Sequence, residues 1–329
     1  MHWYFVATSS PTIGYGHVAR LRLLETEVAA AYPQARSTLL LHDAAKGEPS
    51  VTLGELASIS APAIVVIDGP DAFIDHLRAF PALRAEGMLV AAFRMYGVED
   101  GDDYLEHVSL VPSFTPTELT RHPVHGHHLY RGKRLILVRR SVHLLTGTPK
   151  ATPPRVVITM GAADPAGLTE LAAEASLRLA DELEIIVVVG ALNPRYERIR
   201  ARFAERLQIV RQGQVDFDEL LRSASYAVIS GGLTRYECVA AAVPFVSISL
   251  DAQQARFTEA VTGAGFGLHA GVAGSIGPAE VRGALARLVT DPELAEAMRR
   301  RAPGMIGADN GVELARFLHA ASQGTWAAR

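Results

Sequence analysis

The chain has 329 residues, of which 49% are hydrophobic and 20% are charged, so it can bury the cores of two ordinary domains and is not expected to be disordered. Its formal net charge of −3 argues against nucleic acid as a partner, and its single cysteine, Cys238, excludes an internal disulfide. No apolar run reaches the roughly 20 residues that span a bilayer, and the first residues lack the basic leader of a signal peptide. We therefore expect a soluble cytoplasmic protein, which could still contact a membrane peripherally.

Strands and helices are predicted to alternate in the first half of the chain. A buried strand at 3–7 leads through a turn-rich loop to a helix at 17–32, whose apolar side chains share one face. Further strands are expected at 38–41, 63–67, 88–93, 107–111 and 135–138. A helical stretch at 72–84 lies between two of them. This alternation indicates a mainly parallel sheet that helices cover on both faces.

A proline-rich stretch of small polar residues at 146–154 predicts a linker, after which the alternation restarts. Strands are expected there at 155–160, 184–189, 208–210, 226–229 and 245–249. Helices are expected at 167–180, 194–207, 218–224, 234–242, 254–263, 278–290, 292–301 and 312–321. We therefore predict two α/β domains, 1–147 and 155–329, with a last helix that could cross back to the first domain.

The segment 230–237 joins a predicted strand to a predicted helix through a tight glycine turn. Gly231 and Gly232 would let the backbone approach a ligand closely, and the amides that open the helix would favour a phosphate. Thr234 could add a hydroxyl donor, and the carboxylate of Glu237 could accept hydrogen bonds from a ribose diol. The alternative is an ordinary α/β turn followed by a first-turn acid that the helix dipole favours.

The loop before the first helix contains Gly14 and Gly16, which are predicted to contact the nucleotide or its phosphates, and His17 follows at the start of that helix. A helix N-terminus favours the neutral imidazole, which could remove a proton from an alcohol or from water. Arg20, one turn later, could meet a phosphate. In the alternative interpretation His17 packs locally and Arg20 is solvated. Because ligands collect at the carboxyl ends of parallel strands, we expect this loop to face the glycine turn of the second domain across a cleft.

A different interpretation of the first loop is a dinucleotide site. Gly14, Gly16 and Ala19 fit the spacing of that fingerprint, and Asp43 would end the next strand, where a ribose-binding acid belongs. The ligand would then be NAD or a similar dinucleotide. This interpretation leaves the second half of the chain unexplained.

Several motifs in the same order resemble one enzyme family. The segment 14–20, Gly-x-Gly-His-Val-x-Arg, is similar to the opening motif of the UDP-sugar hydrolase of the pseudaminic acid pathway and its spore-coat polysaccharide relatives. Segments 160–165 and 190–194 resemble two further motifs of that family, and 132–139 resembles the stretch before its domain linker. Several motifs in order are much more specific than any one of them alone.

The segment 230–237, with Gln253 and Gln254 after the next strand, is very similar to the donor site of the N-acetylglucosaminyltransferase that makes lipid II. Both families share the two-domain GT-B fold, in which two Rossmann-like parallel-sheet domains face each other across a cleft. The resemblance covers most of the chain and is better after Arg155. It implies a GT-B-like α/β enzyme that uses a nucleotide-sugar.

The resemblance also implies roles for individual residues. These are His17 as general base, Gly231, Gly232, Leu233 and Thr234 around the diphosphate, Glu237 on the ribose hydroxyls, and Gln253 and Gln254 facing the donor sugar. No metal and no other cofactor is expected, because the helix dipole and backbone amides would stabilise the charge of the leaving diphosphate.

The sequence departs from the hydrolase pattern where a water would be held. Ala252 stands in place of an Asn, Asp68-Gly69-Pro70 in place of Asp-x-Tyr, and 93–96 in place of paired aspartates. We therefore expect transfer of the sugar from a UDP-sugar to an alcohol or amine acceptor that the sequence does not identify. UDP-sugar hydrolysis is the first alternative, and a catalytically silent nucleotide-sugar-binding protein is the second.

Three further features have both a functional and a structural interpretation. Asp164 and Asn193 each follow a predicted strand, where they could contact ligand or begin the next helix. The histidine-rich tract 122–128 could bind zinc or nickel, but it has no interleaved carboxylate or cysteine, which favours a surface loop.

Overall fold

The computed structural model describes residues 1–10, 13–42, 53–94, 104–122, 126–143 and 151–326. The chain divides into two compact units, which we call unit 1 (Met1–Leu137 with Gly307–Arg329) and unit 2 (Val138–Ile306). Each unit contains a mainly parallel sheet with helices, so the predicted α/β class with two parallel-sheet domains is confirmed. Most of the predicted linker at 146–154 lies outside the described residues.

Seven strands form the sheet of unit 1 within the described residues. They are β1 (His2–Thr8), β2 (Arg36–His42), β3 (Ala63–Asp68), β4 (Met88–Phe93), β5 (Val108–Pro112), β6 (Glu118–Arg121) and β7 (His128–Gly132). They pair in the order β2-β1-β3-β4-β5-β7-β6, and only β6 runs antiparallel to its neighbour. Every residue of β3 and β4 is buried, as expected for central strands that are covered on both faces.

Six parallel strands form the sheet of unit 2 within the described residues. They are β8 (Arg155–Thr159), β9 (Glu184–Val189), β10 (Gln208–Arg211), β11 (Tyr226–Ser230), β12 (Phe245–Ser249) and β13 (Gly267–Val272). Their order is β10-β9-β8-β11-β12-β13. The carboxyl ends of β9, β8, β11 and β12 therefore bring the loops that follow them to one edge of this sheet. The last strand, β13, was not predicted from the sequence.

The α-helices of the described residues are α1 (Gly16–Ala31), α2 (Leu53–Leu56), α3 (Asp71–His76), α4 (Arg140–His143), α5 (Leu168–Ser176), α6 (Tyr196–Phe203), α7 (Phe217–Ser223), α8 (Thr234–Ala240), α9 (Ala252–Gly263), α10 (Pro278–Thr290), α11 (Pro292–Arg301) and α12 (Asn310–Ser322). None of them is long and apolar enough to cross a lipid bilayer. The bounds of α10 and α11 match the prediction, because a proline opens each helix.

The last helix belongs to the core of unit 1. Leu314 and Leu318 of α12 lie in the same buried cluster as Leu21 and Leu24 of α1. The two helices approach closely at Gly311, where an added Cβ would lie 2.6 Å from Cγ of Glu27. A glycine at this position therefore allows the first and last helices to pack.

The strand predicted at 135–138 is wrong. A short 3₁₀ turn, Lys133–Leu135, begins there, and the strand of the sheet is β7, which ends at Gly132. The apolar run is buried without joining the sheet, and the side chain of Asn310 satisfies one carbonyl of the run and one just before it. Nδ2 of Asn310 donates to the carbonyls of Lys133 at 3.1 Å and of Ile136 at 2.9 Å.

Candidate functional site

His17 lies beside a buried carboxylate that sequence analysis did not assign to the site. His17 is the second residue of α1, and Asp68 is the last residue of β3, which pairs with β1. Nδ1 of His17 lies 2.7 Å from Oδ1 of Asp68. The Asp68 side chain is fully buried, whereas 14% of the His17 side chain is exposed. The imidazole therefore has one side fixed in the protein while part of the ring remains accessible.

Arg20 contacts the same carboxylate from one turn further along α1. Its Nε donates to Oδ2 of Asp68 at 2.6 Å and its Nη2 donates to Oδ1 at 2.7 Å. Its guanidinium also lies over the ring of Phe93, 4.5 Å from the centroid. Both contacts hold Arg20 in a buried position. The predicted contact of Arg20 with a phosphate remains a prediction, and what the structure gives this side chain is a bidentate pair with Asp68.

The negative charge of Asp68 determines which ring nitrogen of His17 carries the hydrogen. Burial raises the pKa of Asp68, but the charges and hydrogen bonds of Arg20 and His17 outweigh burial and hold that pKa below its ordinary value. An ionised carboxylate can only accept, so Nδ1 of His17 carries the hydrogen of this bond. Nε2 of the neutral imidazole then has its lone pair available, which is the arrangement of a general base oriented by a carboxylate.

The sequence did contain an indication that Asp68 belongs to the site. Sequence analysis noted it only as part of a departure from the hydrolase pattern, in Asp68-Gly69-Pro70. Asp68 directly follows the strand predicted at 63–67, and the structure shows that this strand, β3, lies beside β1. Gly69 after it allows the turn, because an added Cβ would lie 2.6 Å from Cδ1 of Phe73 and 3.0 Å from Cγ2 of Thr8. The chain can thus bring the end of β3 against the end of β1 only with a very small residue there.

The two glycines of the first loop differ in role. Gly14 has a φ of +84°, a backbone conformation that favours glycine, and its amide donates to the carbonyl of Ser10 at 2.8 Å. Gly16 is the first residue of α1 and is exposed. Residues 11 and 12 of this loop lie outside the described residues. A nucleotide contact at Gly14 or Gly16 remains a prediction.

In unit 2, the adjacent glycines after β11 also differ. The amide of Gly231 donates to the carbonyl of Ile248 at 3.0 Å, and an added Cβ would lie 2.7 Å from both Oε1 of Gln254 and Oγ1 of Thr258. At Gly232 the nearest such contact is Ser230 Oγ, at 3.5 Å. Gly231 therefore serves the packing of α9 against the sheet, whereas space at Gly232 is open.

The amides that open α8 are available to an anion. In the described part of the chain, no protein acceptor takes the amide hydrogens of Gly232, Leu233 and Thr234. Since the positive end of the helix dipole lies at the same place, these groups suit the predicted diphosphate. Thr234 is the first residue of the helix, as the sequence predicted.

Glu237 has a partner that sequence analysis missed. Nη2 and Nε of Arg139 donate to Oε1 of Glu237 at 2.9 and 3.3 Å, and Nη1 of Arg139 lies 2.6 Å from Oδ1 of Asp218. The arginine thus lies between an acid of α7 and an acid of α8. Both hydrogen bonds from Arg139 to Glu237 use the same carboxylate oxygen, Oε1, so the other oxygen can accept from a ligand.

The two glutamines after β12 have different environments. Oε1 of Gln254 accepts a hydrogen bond from the amide of Leu250 at 2.7 Å, and the residue is partly buried beside Gly231. Gln253 is exposed. Both lie in the first turn of α9, which Asp251 caps by accepting from the amide of Gln254. Their contact with a donor sugar remains a prediction.

Asp164 and Asn193 are neighbours in unit 2. Nδ2 of Asn193 donates to Oδ2 of Asp164 at 3.3 Å, and both side chains are buried. Asp164 also accepts from the amides of Leu168 at 2.8 Å and Thr169 at 3.0 Å, so it caps α5. These bonds join the loops after β8 and β9. A ligand contact of either residue remains a prediction.

Comparison with known proteins identifies the fold. No protein-family model matches the chain, and no curated protein matches its sequence. The spinosyn rhamnosyltransferase SpnG, solved with thymidine diphosphate, is 15% identical with a TM-score of 0.64, over 97% of this chain and 100% of that one. MurG from Acinetobacter baumannii is 14% identical with a TM-score of 0.61, over 97% and 99% of the two chains. S. aureus MnaA, solved with UDP, is 12% identical with a TM-score of 0.62, over 98% and 97%.

The chain has the GT-B fold. This finding confirms the predicted fold and accounts for the second half of the chain, which the dinucleotide alternative left unexplained. The acid required by that alternative, Asp43, lies outside the described residues. Within the part of the GT-B chain that the structure describes, no group of three or more His, Cys, Asp or Glu residues is arranged to hold a metal ion.

Proposed function

We propose that this protein is a glycosyltransferase that moves a sugar from a nucleotide-sugar, with UDP as the expected nucleotide, to an alcohol or amine acceptor. The observation that carries the proposal is the pair formed by His17 and Asp68, in which a buried carboxylate orients an imidazole at the carboxyl edge of a parallel sheet. Such a histidine can remove a proton from an attacking hydroxyl. The likeness to SpnG and MurG supports a GT-B enzyme, and SpnG is named as a rhamnosyltransferase.

Unit 2 is the proposed donor-binding unit. The amides of Gly232, Leu233 and Thr234 would bind the diphosphate, and Glu237 would accept hydrogen bonds from the ribose hydroxyls. SpnG was solved with thymidine diphosphate and MnaA with UDP, which supports a pyrimidine nucleotide. Because thymidine lacks the ribose 2′-hydroxyl, a contact between Glu237 and the ribose diol favours UDP.

The proposed reaction is a single displacement. The acceptor oxygen attacks the anomeric carbon, the bond from that carbon to the phosphate oxygen breaks, and UDP leaves with the bonding electrons. Nε2 of His17 takes the proton of the acceptor hydroxyl, and Asp68 stabilises the imidazolium that forms. The amides at the start of α8 stabilise the charge of the departing diphosphate. One displacement inverts the anomeric centre.

The experiment is UDP release from a panel of UDP- and TDP-sugars, with and without candidate acceptor alcohols, in the wild type and in His17→Ala. We expect release that depends on an acceptor and falls by at least about 10²-fold in His17→Ala. His76→Ala is the matched control, because His76 is an exposed histidine of the same unit. Rapid release without any acceptor, lost in His17→Ala, would assign water as the acceptor and make the protein a hydrolase.

The same experiment tests the alternative that the protein binds a nucleotide-sugar without catalysing its transfer. If UDP raises the melting temperature but no sugar is released with any acceptor, and His17→Ala behaves like the wild type, the protein is a nucleotide-sugar-binding protein. If neither UDP nor TDP changes the melting temperature, the assignment of unit 2 as donor-binding unit is wrong.

A further inference from the structure

A cavity of about 710 Å³ opens at the amino-terminal edge of the unit 1 sheet. His107 directly precedes β5 and His128 begins β7, and both residues line this space, which we call the edge cavity. His17 and Asp68 lie at the opposite edge, where β1 and β3 end. Since β4 and β5 separate β3 from β7 in the sheet, the edge cavity is a different place from the proposed base.

Basic side chains predominate in the lining of the edge cavity. They are Arg84, Arg121, His107, His127 and His128. Glu106, the acid among the described lining residues, is already paired. It accepts from Nε and Nη2 of Arg94 at 2.8 and 3.1 Å and from Oγ of Ser109 at 2.7 Å. Arg94 does not line the cavity. Among the described lining residues the positive charge is therefore that of Arg84 and Arg121, while burial lowers the pKa of His107 and of His128 and favours their neutral form.

Arg121 is the best placed of these groups to meet an anion. It ends β6, and its Nε donates to the carbonyl of Gly126 at 3.3 Å. Among the described residues, no carboxylate forms an ion pair with it. Burial and the charge of Arg121 lower the pKa of His128, so the field of this arginine reaches the cavity. A bound anion would satisfy both groups.

Aromatic stacking gives the edge cavity flat, fixed walls. The ring of His128 stacks on Trp326 with centroids 3.7 Å apart and planes 7° apart. The ring of His127 stacks on Tyr104 with centroids 4.0 Å apart. The volume is much larger than a phosphate ion needs and lies within the range of about 300–1,000 Å³ that is usual for small-molecule sites.

We propose that the edge cavity binds a phosphorylated small molecule, whose phosphate is held by Arg121 with the neighbouring imidazoles as further donors. His107 is suited to donate, because its Nδ1 accepts from the amide of Val90 at 3.0 Å and its hydrogen is therefore on Nε2. His127 and His128, the described histidines of the tract that line the cavity, thus gain a role in an oxyanion site rather than in a metal site. This site is independent of the proposed sugar transfer.

The test is titration of the full chain with inorganic pyrophosphate, followed by tryptophan fluorescence. Trp326 lines the edge cavity and stacks on His128, so tryptophan fluorescence reports on this site. We expect a saturable change in the wild type and an affinity about tenfold weaker in Arg121→Gln. Arg121→Lys, which keeps the charge, should retain part of the affinity.

Arg131→Gln is the matched control, because Arg131 lies in the same β6–β7 hairpin and pairs with Glu118 at 2.8 Å. It should bind pyrophosphate like the wild type. Equal affinity of Arg121→Gln and wild type would overturn the proposal, as would the absence of both a fluorescence change and heat in calorimetry. Co-sedimentation with phosphatidylglycerol vesicles distinguishes the source of the phosphate: binding that Arg121→Gln abolishes assigns a lipid headgroup, and its absence assigns a soluble ester.

Discussion

Nδ1 of His17 and Nη2 of Arg20 both lie 2.7 Å from the same oxygen, Oδ1 of Asp68. One buried carboxylate therefore orients the proposed base and neutralises an arginine of the same helix. Because its pKa is held below its ordinary value, Asp68 is charged at neutral pH and can serve both partners at once. The positions of His17 and Arg20 on α1 therefore both depend on Asp68 at the end of β3.

Replacing Asp68 by Asn should reduce turnover by at least about 10²-fold with little change in the KM for the nucleotide-sugar. The Asn amide can donate to Nδ1, which would leave the hydrogen on Nε2 and remove the base. Steady-state UDP release is the measurement. Asp75→Asn is the control, because Asp75 is an exposed acid of the same unit. Unchanged turnover in Asp68→Asn would show that His17 does not depend on this carboxylate.

The two adjacent glycines of unit 2 should respond differently to the same added methyl group. Gly231→Ala places its Cβ 2.7 Å from Oε1 of Gln254, so we expect the free energy of unfolding to fall by about 1–3 kcal/mol. Gly232→Ala has room and should change it by less than about 0.5 kcal/mol, while weakening UDP binding at its amide. Urea unfolding and UDP titration measure the two effects. Equal loss of stability in both variants would contradict the packing role of Gly231.

Alanine substitutions at Gly283 and Gly311, which both lie in helices, compare the gain from helix propensity with the cost of a packing clash. Gly283 lies inside α10 with nothing near an added Cβ, so Gly283→Ala should raise the free energy of unfolding by about 0.5–1 kcal/mol. In Gly311→Ala the new Cβ meets Cγ of the buried Glu27 at 2.6 Å, and we expect a net loss of about 1 kcal/mol or more. Thermal and urea unfolding measure both. A stabilised Gly311→Ala would mean that α1 and α12 can separate without cost.

Arg139→Met tests whether the arginine orients Glu237 for the ribose. Losing the two hydrogen bonds from Arg139 should leave Glu237 free to rotate and weaken UDP binding about tenfold. Arg222→Met is the control, since Arg222 forms an exposed pair with Glu219 on α7. Isothermal titration measures the affinity. Tighter UDP binding in Arg139→Met would instead show that the arginine competes with the nucleotide for Glu237.

The pair of Glu106 and Arg94 predicts a dependence of stability on pH. Burial raises the pKa of Glu106, but hydrogen bonds and charge from Arg94 outweigh it and hold the folded-state pKa below the unfolded value of about 4.3. The resulting stability is complete above the unfolded pKa and is lost as the pH falls through the folded pKa. Nearby Asp71 acts in the opposite direction, because burial raises its pKa.

Urea unfolding between pH 7 and pH 3 measures this effect. The wild type should lose stability below about pH 4, whereas Glu106→Gln should be less stable at pH 7 and show a flatter profile at low pH. Glu86→Gln, at an exposed position, should follow the wild type. Parallel profiles for wild type and Glu106→Gln would mean that this buried pair does not contribute.

The sequence allowed the fold to be predicted because strand and helix periodicity is local. The buried runs of β3 and β4 and the proline starts of α10 and α11 are visible in a few residues each. The strand predicted at 135–138 was wrong: the carbonyl of Ile136 accepts not from a neighbouring strand but from the side chain of Asn310, 174 residues away. Apolar composition alone does not distinguish these two kinds of burial.

The candidate site was predictable only in part, for the same reason. His17 and the turn before α8 have local signals, namely a residue at a helix start and two glycines after a strand. Asp68 and Arg139 act through partners 51 and 98 residues away. The position of Asp68 after a predicted strand was visible in the sequence, but no local pattern indicates which residue either side chain pairs with. For Gly231 a local signal was present but misleading. The glycine turn suggested that the backbone approaches a ligand at this residue, whereas its close contacts are with side chains of α9.

The packing of α12 on α1 has a consequence for the order in which the nascent chain can fold. Unit 2 is one continuous segment, so all of its core has been synthesised before Gly307 leaves the ribosome. The core of unit 1 needs Leu314 and Leu318, which are made after all of unit 2, to cover Leu21 and Leu24. The apolar face of α1 is therefore synthesised before unit 2 but stays uncovered by α12 until unit 2 has been translated.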